Sequence, residues 1–236
     1  MEGSNVKGAA NRRGPTLDRY KASSLRAYNG TLPDRYDTSL ALRVLRPAHM
    51  DDFILDILGP RIDRLAILDV GCATGRLLER MAEAGAIRLA GTDLAPRIVE
   101  TARRRLLRFD LRVDLKSADA ETRLPWPDRS FDAVTVTGVF HHFYAPEAAA
   151  AEIRRVLRPG GRLLIADVCF FPPIRELFNL CLRIHPHEGD YHFYTPVQLS
   201  GLLRAWGWDV HRSERINWWA FGIVAGAGRG VDTLAN

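Results

Sequence analysis

The sequence predicts an α/β fold in which a mostly parallel sheet carries helices on both faces. Between Leu65 and Val168, short apolar segments alternate with segments of helical period. The connections between them are short, as in βαβ units. The chain has 236 residues, 47% of them hydrophobic and 26% charged, which is enough for one sizeable core.

The repeating region predicts five strands: LAILDVG, IRLAGTD, LRVDLKSAD, FDAVTVTG and GRLLIADV. Three segments of helical period lie between strands: RLLERMAEAG, APRIVETARRRLLRF and PEAAAAEIRRVLRPGG. Gly85 is typical of a helix C-terminus, and Pro96 is typical of a first helical turn. We expect the third helix to stop at Pro159-Gly160-Gly161.

The flanking segments have other patterns. Residues 1 to about 15 are polar, whereas residues 16–60 predict one or two helices with a shared apolar face: Leu42, Leu45, Phe53, Ile54, Ile57 and Leu58. After Val168, CFFPPIRELFNLCLRI predicts an amphipathic helix, and TPVQLSGLLRAWGW a second one with Thr195 as its N-cap. WDVHRSERI and WWAFGIVAGAG predict a hairpin at the edge of the sheet.

Composition limits where the protein works and what it binds. No apolar run approaches the ~18 residues of a membrane span, and the N-terminus lacks the apolar core of a signal peptide. Three cysteines without paired or metal-like spacing predict a reducing, cytoplasmic setting. Residues 1–50 hold nine Lys/Arg against four Asp/Glu, and the remainder is neutral. This basic arm could contact nucleic acid or anionic lipid, but its scattered charges favour a solvated arm.

The segment LDVGCATG, at the end of the first predicted strand, indicates a ligand-binding turn, because ligands of parallel sheets bind beyond the strand carboxyl ends. The segment lacks the lysine and spacing of a P-loop, and Gly71-x-x-x-Gly75 departs from the GxGxxG of dinucleotide sites. Asp69 would also repel a phosphate. A cationic ligand without phosphate, such as S-adenosylmethionine, fits better, although Asp69 alone could simply cap the turn.

Two more acidic residues follow the next two strands. Asp93 lies 22 residues after Gly71, where a carboxylate can bind both hydroxyls of a ribose. Asp119 follows the third strand, where it can accept a hydrogen bond from an adenine amino group. Three acids at three successive strand ends favour S-adenosylmethionine over the other ligands.

These motifs resemble those of the class I S-adenosylmethionine-dependent methyltransferases, notably the small-molecule branch with the ubiquinone/menaquinone C-methyltransferases. The matching segments cover about residues 65–168: LDVGCATG, GTDLAPRIVETA, SADAETRLPWPDRSFDAVTVTGVFHHF and EIRRVLRPGGRLLIADV. Ala73 replaces a frequent central glycine of the family. The segments outside this region match no single subfamily well enough to assign a substrate.

The resemblance implies a Rossmann-like α/β fold with a seven-stranded, mostly parallel sheet and an antiparallel C-terminal strand. It implies cofactor-binding roles for Asp69, Gly71, Cys72, Ala73, Gly75, Asp93, Leu94, Asp119, Ala120, Thr137 and Gly138. In this interpretation, residues 1–60 form an N-terminal arm with lid helices, and residues 61–236 form the methyltransferase domain. Residues 169–195 would be an insertion covering the methyl acceptor. A small-molecule acceptor is expected, with nucleic acid disfavoured and a homodimer open.

Candidate catalytic histidines lie in two segments. His141 and His142 follow the fourth strand, where either could deprotonate a phenol or enol, or could simply shape the turn. The segment HPHEGDYH adds His187 as a further candidate; its other polar members are His185, Glu188, Asp190 and His192. These residue types can bind a metal ion, but a loop at the rim of the active site is favoured and no metal is predicted.

The segment after Val168 supplies apolar side chains for a lid over the acceptor or for the core: Phe170, Phe171, Ile174, Leu177, Phe178 and Leu182, with Tyr20, Tyr28 and Tyr36 from the N-terminal region. Trp218 and Trp219 are expected in the core or an interface.

The predicted reaction is methyl transfer to an O, C or N atom of a small lipophilic or aromatic metabolite. A methyltransferase for RNA or protein and a non-catalytic cofactor-binding protein are the alternatives, and a nicotinamide dehydrogenase is disfavoured by the glycine spacing.

Overall fold

The computed structural model describes residues 21–22, 24–26, 28–30, 48–109, 113–184 and 190–227. The expectations for Tyr20, Tyr36, Leu42, Leu45 and the segment 185–189, with His187, therefore lie outside the described residues. The described part between residues 21 and 29 is helical.

The described chain forms a seven-stranded sheet with helices packed around it. The strands are β1 (Ala66–Val70), β2 (Arg88–Asp93), β3 (Asp114–Ser117), β4 (Phe131–Thr137), β5 (Leu157–Val168), β6 (Trp208–Asn217) and β7 (Ala220–Ala227). The helices are α1 (Ala48–Leu58), α2 (Arg76–Glu83), α3 (Pro96–Leu106), α4 (Pro146–Val156), α5 (Ile174–Ile184) and α6 (Pro196–Ala205). None of the described helices has the length and apolar character needed to cross a bilayer.

The strand order is β3-β2-β1-β4-β5-β7-β6. β7 runs antiparallel to both of its neighbours, β5 and β6, and the other neighbouring strands pair in parallel. This confirms the predicted mostly parallel sheet with an antiparallel C-terminal strand. The predicted C-terminal hairpin is also present, with β7 inserted beside β5 and β6 at the edge. Because the chain leaves β1 towards β2 but returns through β4 on the other side, the strand order reverses between β1 and β4.

Each face of the sheet buries its own apolar core. Ile67 and Leu68 are neighbours in β1 but belong to different clusters, as the alternation of side chains along a strand requires. One cluster includes buried residues of α1, α2 and α3, and the other includes those of α4 and α6. Helices on both faces, as expected, therefore hold the strand ends in fixed positions.

The local signals at the helix ends are mostly confirmed. Thr195 caps α6, accepts a hydrogen bond from Gln198 N–H at 3.0 Å and forms a capping box. The predicted stop of α4 at Pro159-Gly160-Gly161 is wrong, since α4 ends at Val156 and the chain continues as β5. Leu157 pairs with Phe131, and the intervening residues form a bulge before Arg162 pairs with Ala133.

For several apolar residues, the structure excludes the core alternative and leaves the other one open. Trp218 and Trp219 do not belong to the core, because their side chains are 81% and 46% exposed at the β6–β7 turn. Ile174, Leu177 and Phe178 are also exposed, so they are not core residues of α5. In contrast, Phe170 and Leu182 pack partly against the core.

Candidate active site

One cleft opens at the carboxyl ends of β1, β2, β3 and β4, where the strand order reverses. This is the position at which parallel α/β sheets bind ligands. Eight of the predicted site residues line it: Gly71, Ala73, Asp93, Leu94, Asp119, Ala120, Gly138 and His142. Tyr28 from the N-terminal helical segment lines it as well, and packs with Leu25 against Ala73 and Ile98.

The turn after β1 is held tightly against β2. The N–H groups of Gly71 and Cys72 both donate to the Thr92 carbonyl, at 2.7 and 2.9 Å. Gly71 has a φ of 74°, and a Cβ added there would lie 2.4 Å from Cγ2 of Val139. Only glycine fits this position without movement of neighbouring atoms. The turn is therefore a rigid wall of the cleft.

Several predicted cofactor residues are buried at or next to this turn. Asp69 is buried, and its Oδ1 accepts a hydrogen bond from the Thr135 hydroxyl at 2.7 Å. Gly75 caps α2 with a φ of 79° and packs closely against Ala102 of α3. Cys72 and Thr137 are also buried. These positions are thus suited to shaping the turn and the end of β4.

Asp93 presents its carboxylate at the middle of the cleft. Its Oδ2 accepts a hydrogen bond from Ala73 N–H at 3.1 Å, and its Oδ1 accepts one from Ala95 N–H at 3.2 Å. Each carboxylate oxygen has more than one lone pair, so both can accept further hydrogen bonds from a ligand. The two backbone donors fix the carboxylate, which can then bind a pair of neighbouring hydroxyl groups.

Asp119 lies at the next strand end and is paired with Lys21. Lys21 Nζ lies 2.5 Å from Asp119 Oδ2 and 2.8 Å from Glu121 Oε2, while Asp119 Oδ1 accepts the Glu121 N–H at 2.9 Å. Burial lowers the pKa of Lys21, but the two carboxylates outweigh this effect and raise it. The N-terminal helical segment is thereby attached to the end of the cleft formed by β2 and β3.

The charges of the cleft fit a cationic nucleoside better than a phosphate. Lys21 is the only lysine or arginine among the described residues that line it, and two carboxylates neutralise this cation. Asp93 adds another carboxylate to the lining. S-adenosylmethionine offers hydroxyl and amino donors together with a sulfonium, so the donor and acceptor chemistry of these residues fits it.

A cluster of histidines and aspartates lies beside this cleft. His141 Nδ1 lies 2.6 Å from Asp167 Oδ1, and its backbone N–H donates to Asp167 Oδ2 at 3.0 Å. Asp190 Oδ1 lies 3.5 Å from His141 Nε2 and 3.2 Å from His142 Nδ1. The two imidazole rings therefore share the Asp190 carboxylate, and their centroids are 4.1 Å apart.

The two histidines differ in exposure to the cleft and in charge. His142 lines the cleft, whereas His141 is buried between the two carboxylates. Burial alone would lower the pKa of the His141 imidazole, but Asp167 and Asp190 raise it to about 9. His141 is consequently protonated at neutral pH, and His142 is the better placed to accept a proton from a bound molecule.

The same cluster contains three side chains of metal-binding type, since ligand atoms of His141, His142 and Asp190 lie within 4.8 Å of one another. Two imidazoles on one tetrahedral zinc would hold their ring centroids roughly 5 Å apart. The observed centroid distance is shorter, 4.1 Å, and the two rings are tilted by 40°. The geometry therefore favours a cluster of ion pairs over a preformed metal site.

Three polar residues of this region were missed in the sequence. Lys21 and Glu121 carry no local signal, because their ion pair joins residues 100 positions apart. Asp167 does carry a local signal, because it lies near the end of a predicted strand, as do Asp69 and Asp93. The rule that identified the other acids would have found Asp167 if it had been applied to β5.

Comparison with known proteins agrees with this geometry. Residues 68–165 match the family model of a methyltransferase domain. A ubiquinone biosynthesis O-methyltransferase from Xanthomonas oryzae is 32% identical over 197 residues, which cover 80% of this chain and 77% of the relative. A demethylmenaquinone methyltransferase from Tropheryma whipplei is also 32% identical, over 80% of this chain and 84% of the relative.

Solved structures show the same fold. A magnesium protoporphyrin IX methyltransferase from Synechocystis superposes with a TM-score of 0.68 at 17% identity, covering 87% of this chain and 99% of that one. A methyltransferase from Aquifex aeolicus gives 0.62 at 19% identity, covering 82% and 97%. Sequence relatives and fold together establish that this chain belongs to the class I S-adenosylmethionine-dependent methyltransferases.

Proposed function

We propose that the protein transfers a methyl group from S-adenosylmethionine to a hydroxyl oxygen of a small, aromatic or lipophilic metabolite. The observation that carries the proposal is the position of His142, which lines the same cleft as Asp93 and Asp119 and is paired with Asp190. The family uses S-adenosylmethionine, and the two quinone-pathway relatives support a small-molecule acceptor. Among O, C and N acceptors, a group that must lose a proton best matches a histidine–aspartate pair.

The cofactor would be held mainly by the strand ends. Asp93, fixed by two backbone donors, is assigned to the ribose hydroxyls. Asp119 and Ala120 are assigned to the adenine end, where Lys21 holds the Asp119 carboxylate in place. The turn from Asp69 to Gly75 is assigned to the methionyl end, with Cys72 and Ala73 contributing backbone groups. Thr137, Leu94 and Gly138 complete the walls.

The bound cofactor supplies an electrophilic methyl group, and the protein's contribution is alignment, exclusion of water and removal of a proton. Nδ1 of His142 lies 3.2 Å from Asp190 Oδ1 and His142 lines the cleft, so we assign removal of the acceptor proton to its Nε2. Asp190 then stabilises the imidazolium that results. His141, held by Asp167, fixes Asp190 in place, so we assign it a positioning role.

The domain division proposed from the sequence is retained in this model of function. Residues 61–236 form the catalytic unit, and residues 1–60 contribute Lys21 and Tyr28 to the cleft. Within the insertion 169–195, Phe193 stacks on His141 at 5.0 Å and Phe170 packs against Phe193, so these rings would form the apolar wall on the acceptor side.

A mass-shift screen with isotopically labelled S-adenosylmethionine tests the proposal. Phenols, catechols and enols are offered beside amines, unsubstituted carbon acids and RNA. Labelling confined to hydroxyl acceptors is expected, and labelling of RNA or of amines alone would refute it. We expect His142→Gln to lower turnover by about 10²–10⁴-fold, with cofactor affinity unchanged by calorimetry. The exposed His211→Gln is the matched control. Unchanged turnover in His142→Gln would remove the assigned base.

A further inference from the structure

Helix α5 is amphipathic, but much of its apolar side is exposed, although Phe178 on this side also packs on Phe170. Residues with the i, i+3, i+4, i+7 spacing of one helical face are all exposed: Ile174, Leu177, Phe178 and Cys181. Such a stripe normally packs on the core. Here Arg175 and Asn179 face inward instead, since Arg175 is buried and Asn179 is partly buried.

Polar contacts fix this orientation. The Asn179 side chain donates to the Phe193 carbonyl at 3.0 Å and accepts the Phe193 N–H at 2.9 Å. Leu182 packs partly against the core at the far end of the helix. The helix is thus anchored through one side while its apolar stripe, with Leu177 at 60% exposure, is left on the outside.

The β6–β7 turn extends this apolar surface. Phe171 and Trp218 line one shallow cavity together with Arg215 and Asn217, and the Trp219 carbonyl accepts the Cys169 N–H at 2.7 Å. We call the exposed side chains together the apolar platform: Phe171, Ile174, Leu177, Phe178, Leu180, Trp218 and Trp219. Exposed apolar side chains on two neighbouring segments are candidates for an interaction site.

We propose that the apolar platform binds the surface of an anionic lipid bilayer. Tryptophans at an exposed tip beside aliphatic side chains and arginine are typical of segments that insert at the lipid headgroup level. Arg215 donates to the Trp218 carbonyl at 3.0 Å, which places a cation at this tip. The neighbouring acids are paired with arginines, Glu176 with Arg175 and Glu214 with Arg212, so they present little net negative charge to the membrane.

Charge elsewhere in the chain supports an anionic partner. Residues 1–50 carry nine Lys/Arg against four Asp/Glu, whereas the rest of the chain is neutral. A net positive charge adds electrostatic attraction to acidic headgroups. A second copy of the chain carries the same net positive charge, so this charge favours an acidic partner over self-association.

Aromatic rings connect the apolar platform with the candidate base. Phe178 lies 5.0 Å from Phe170, Phe170 lies 5.0 Å from Phe193, and Phe193 stacks on His141 at 5.0 Å. His142 follows at 4.1 Å and lines the cleft. Docking at the apolar platform would therefore place the acceptor side of the cleft close to the bilayer. Only this link between docking and the acceptor side rests on the proposed function. Lipid binding itself can be measured without turnover.

Vesicle flotation with the full chain tests the proposal. The probes are vesicles of equimolar phosphatidylglycerol and phosphatidylcholine, compared with vesicles of phosphatidylcholine alone. We expect binding to the acidic vesicles, a blue shift of tryptophan emission, and about tenfold or greater loss of partitioning in the double variant Leu177→Ser/Trp218→Ser. Both side chains are exposed, so the variant is expected to fold.

The matched control is Ile87→Ser/Val197→Ser, which removes equally exposed apolar side chains, 61% and 81%, outside the apolar platform. Partitioning within twofold of the parent is expected for it. Absence of binding by the parent, or equal loss in both variants, overturns the proposal. A dimer that dissociates in Leu177→Ser/Trp218→Ser, without vesicle binding by the parent, assigns the surface to self-association and also overturns it. Cofactor affinity and methylation of a soluble acceptor report separately on the proposed function.

Discussion

Replacement of Asp93 by Asn tests the cofactor site most directly, because the geometry gives the size of the effect. Asp93 accepts backbone N–H groups from Ala73 and Ala95 at 3.1 and 3.2 Å, one on each oxygen. In Asp93→Asn one oxygen becomes an NH₂ group, which faces an N–H donor and cannot accept. A hydrogen bond to a charged group is worth about 1.5–3 kcal/mol, and the variant loses at least one such bond to the ribose.

The loss of one such ribose hydrogen bond, about 1.5–3 kcal/mol, corresponds to about a 10- to 150-fold increase in the dissociation constant of S-adenosylmethionine. Calorimetric titration measures this constant, and thermal unfolding reports separately on the lost bond within the turn. Asp209→Asn is the control, because Asp209 is an exposed carboxylate on β6. A folded Asp93→Asn protein whose affinity lies within threefold of the parent would refute the assignment of Asp93 to the ribose.

Three further predictions follow from the same contacts. Because the pKa of His141 is raised from 6.5 to about 9, its ion pairs contribute about 3 kcal/mol to folding below pH 6.5. This contribution is lost as the pH rises from 6.5 through about 9. The difference in free energy of unfolding between the parent and Asp167→Asn, measured with urea, should therefore shrink between these pH values. A difference that stays constant would contradict the assigned ion pair. Gly71→Ala should lower the melting temperature more than Gly85→Ala. Both glycines have a positive φ, but only a Cβ at position 71 would meet Val139. Equal losses in melting temperature would mean that backbone strain alone, without the contact to Val139, sets the cost of the substitution. Chelators should leave turnover unchanged and metal analysis should find no stoichiometric ion, whereas metal-dependent turnover would restore the metal interpretation of His141, His142 and Asp190.

The strand ends that line the cleft, which we assign to the cofactor, could be predicted from the sequence because their signals are local. Strand ends, turns and their acids follow one another in short segments, so Asp93 and Asp119 could be placed from spacing alone. The apolar runs likewise predicted the strands, and Thr195 predicted the start of α6. The prediction failed at Leu157 because a long-range contact decided the structure there: pairing with Phe131 overrode the local helix pattern.

Periodicity predicted that α5 is amphipathic but could not predict which way it faces. The apolar stripe through Leu177 is the stronger pattern, and burial of that stripe is the usual outcome. The inward orientation of Asn179 depends on two hydrogen bonds to Phe193, which lies beyond a segment of no regular pattern. A sequence argument has no means of weighing those bonds against the apolar stripe.

The acceptor half of the cleft is built differently from the cofactor half, and this explains why the acceptor is harder to identify. His142 follows β4, Asp167 ends β5 and Asp190 lies in the insertion, so three distant segments meet through side chains. Methyl transfer places little demand on these residues beyond alignment and one proton transfer. They can therefore change with the acceptor, while the strand ends that we assign to the cofactor stay the same. Substitutions of His142 or Asp190 should accordingly alter turnover and acceptor choice, and substitutions of Asp93 should alter cofactor affinity for every acceptor.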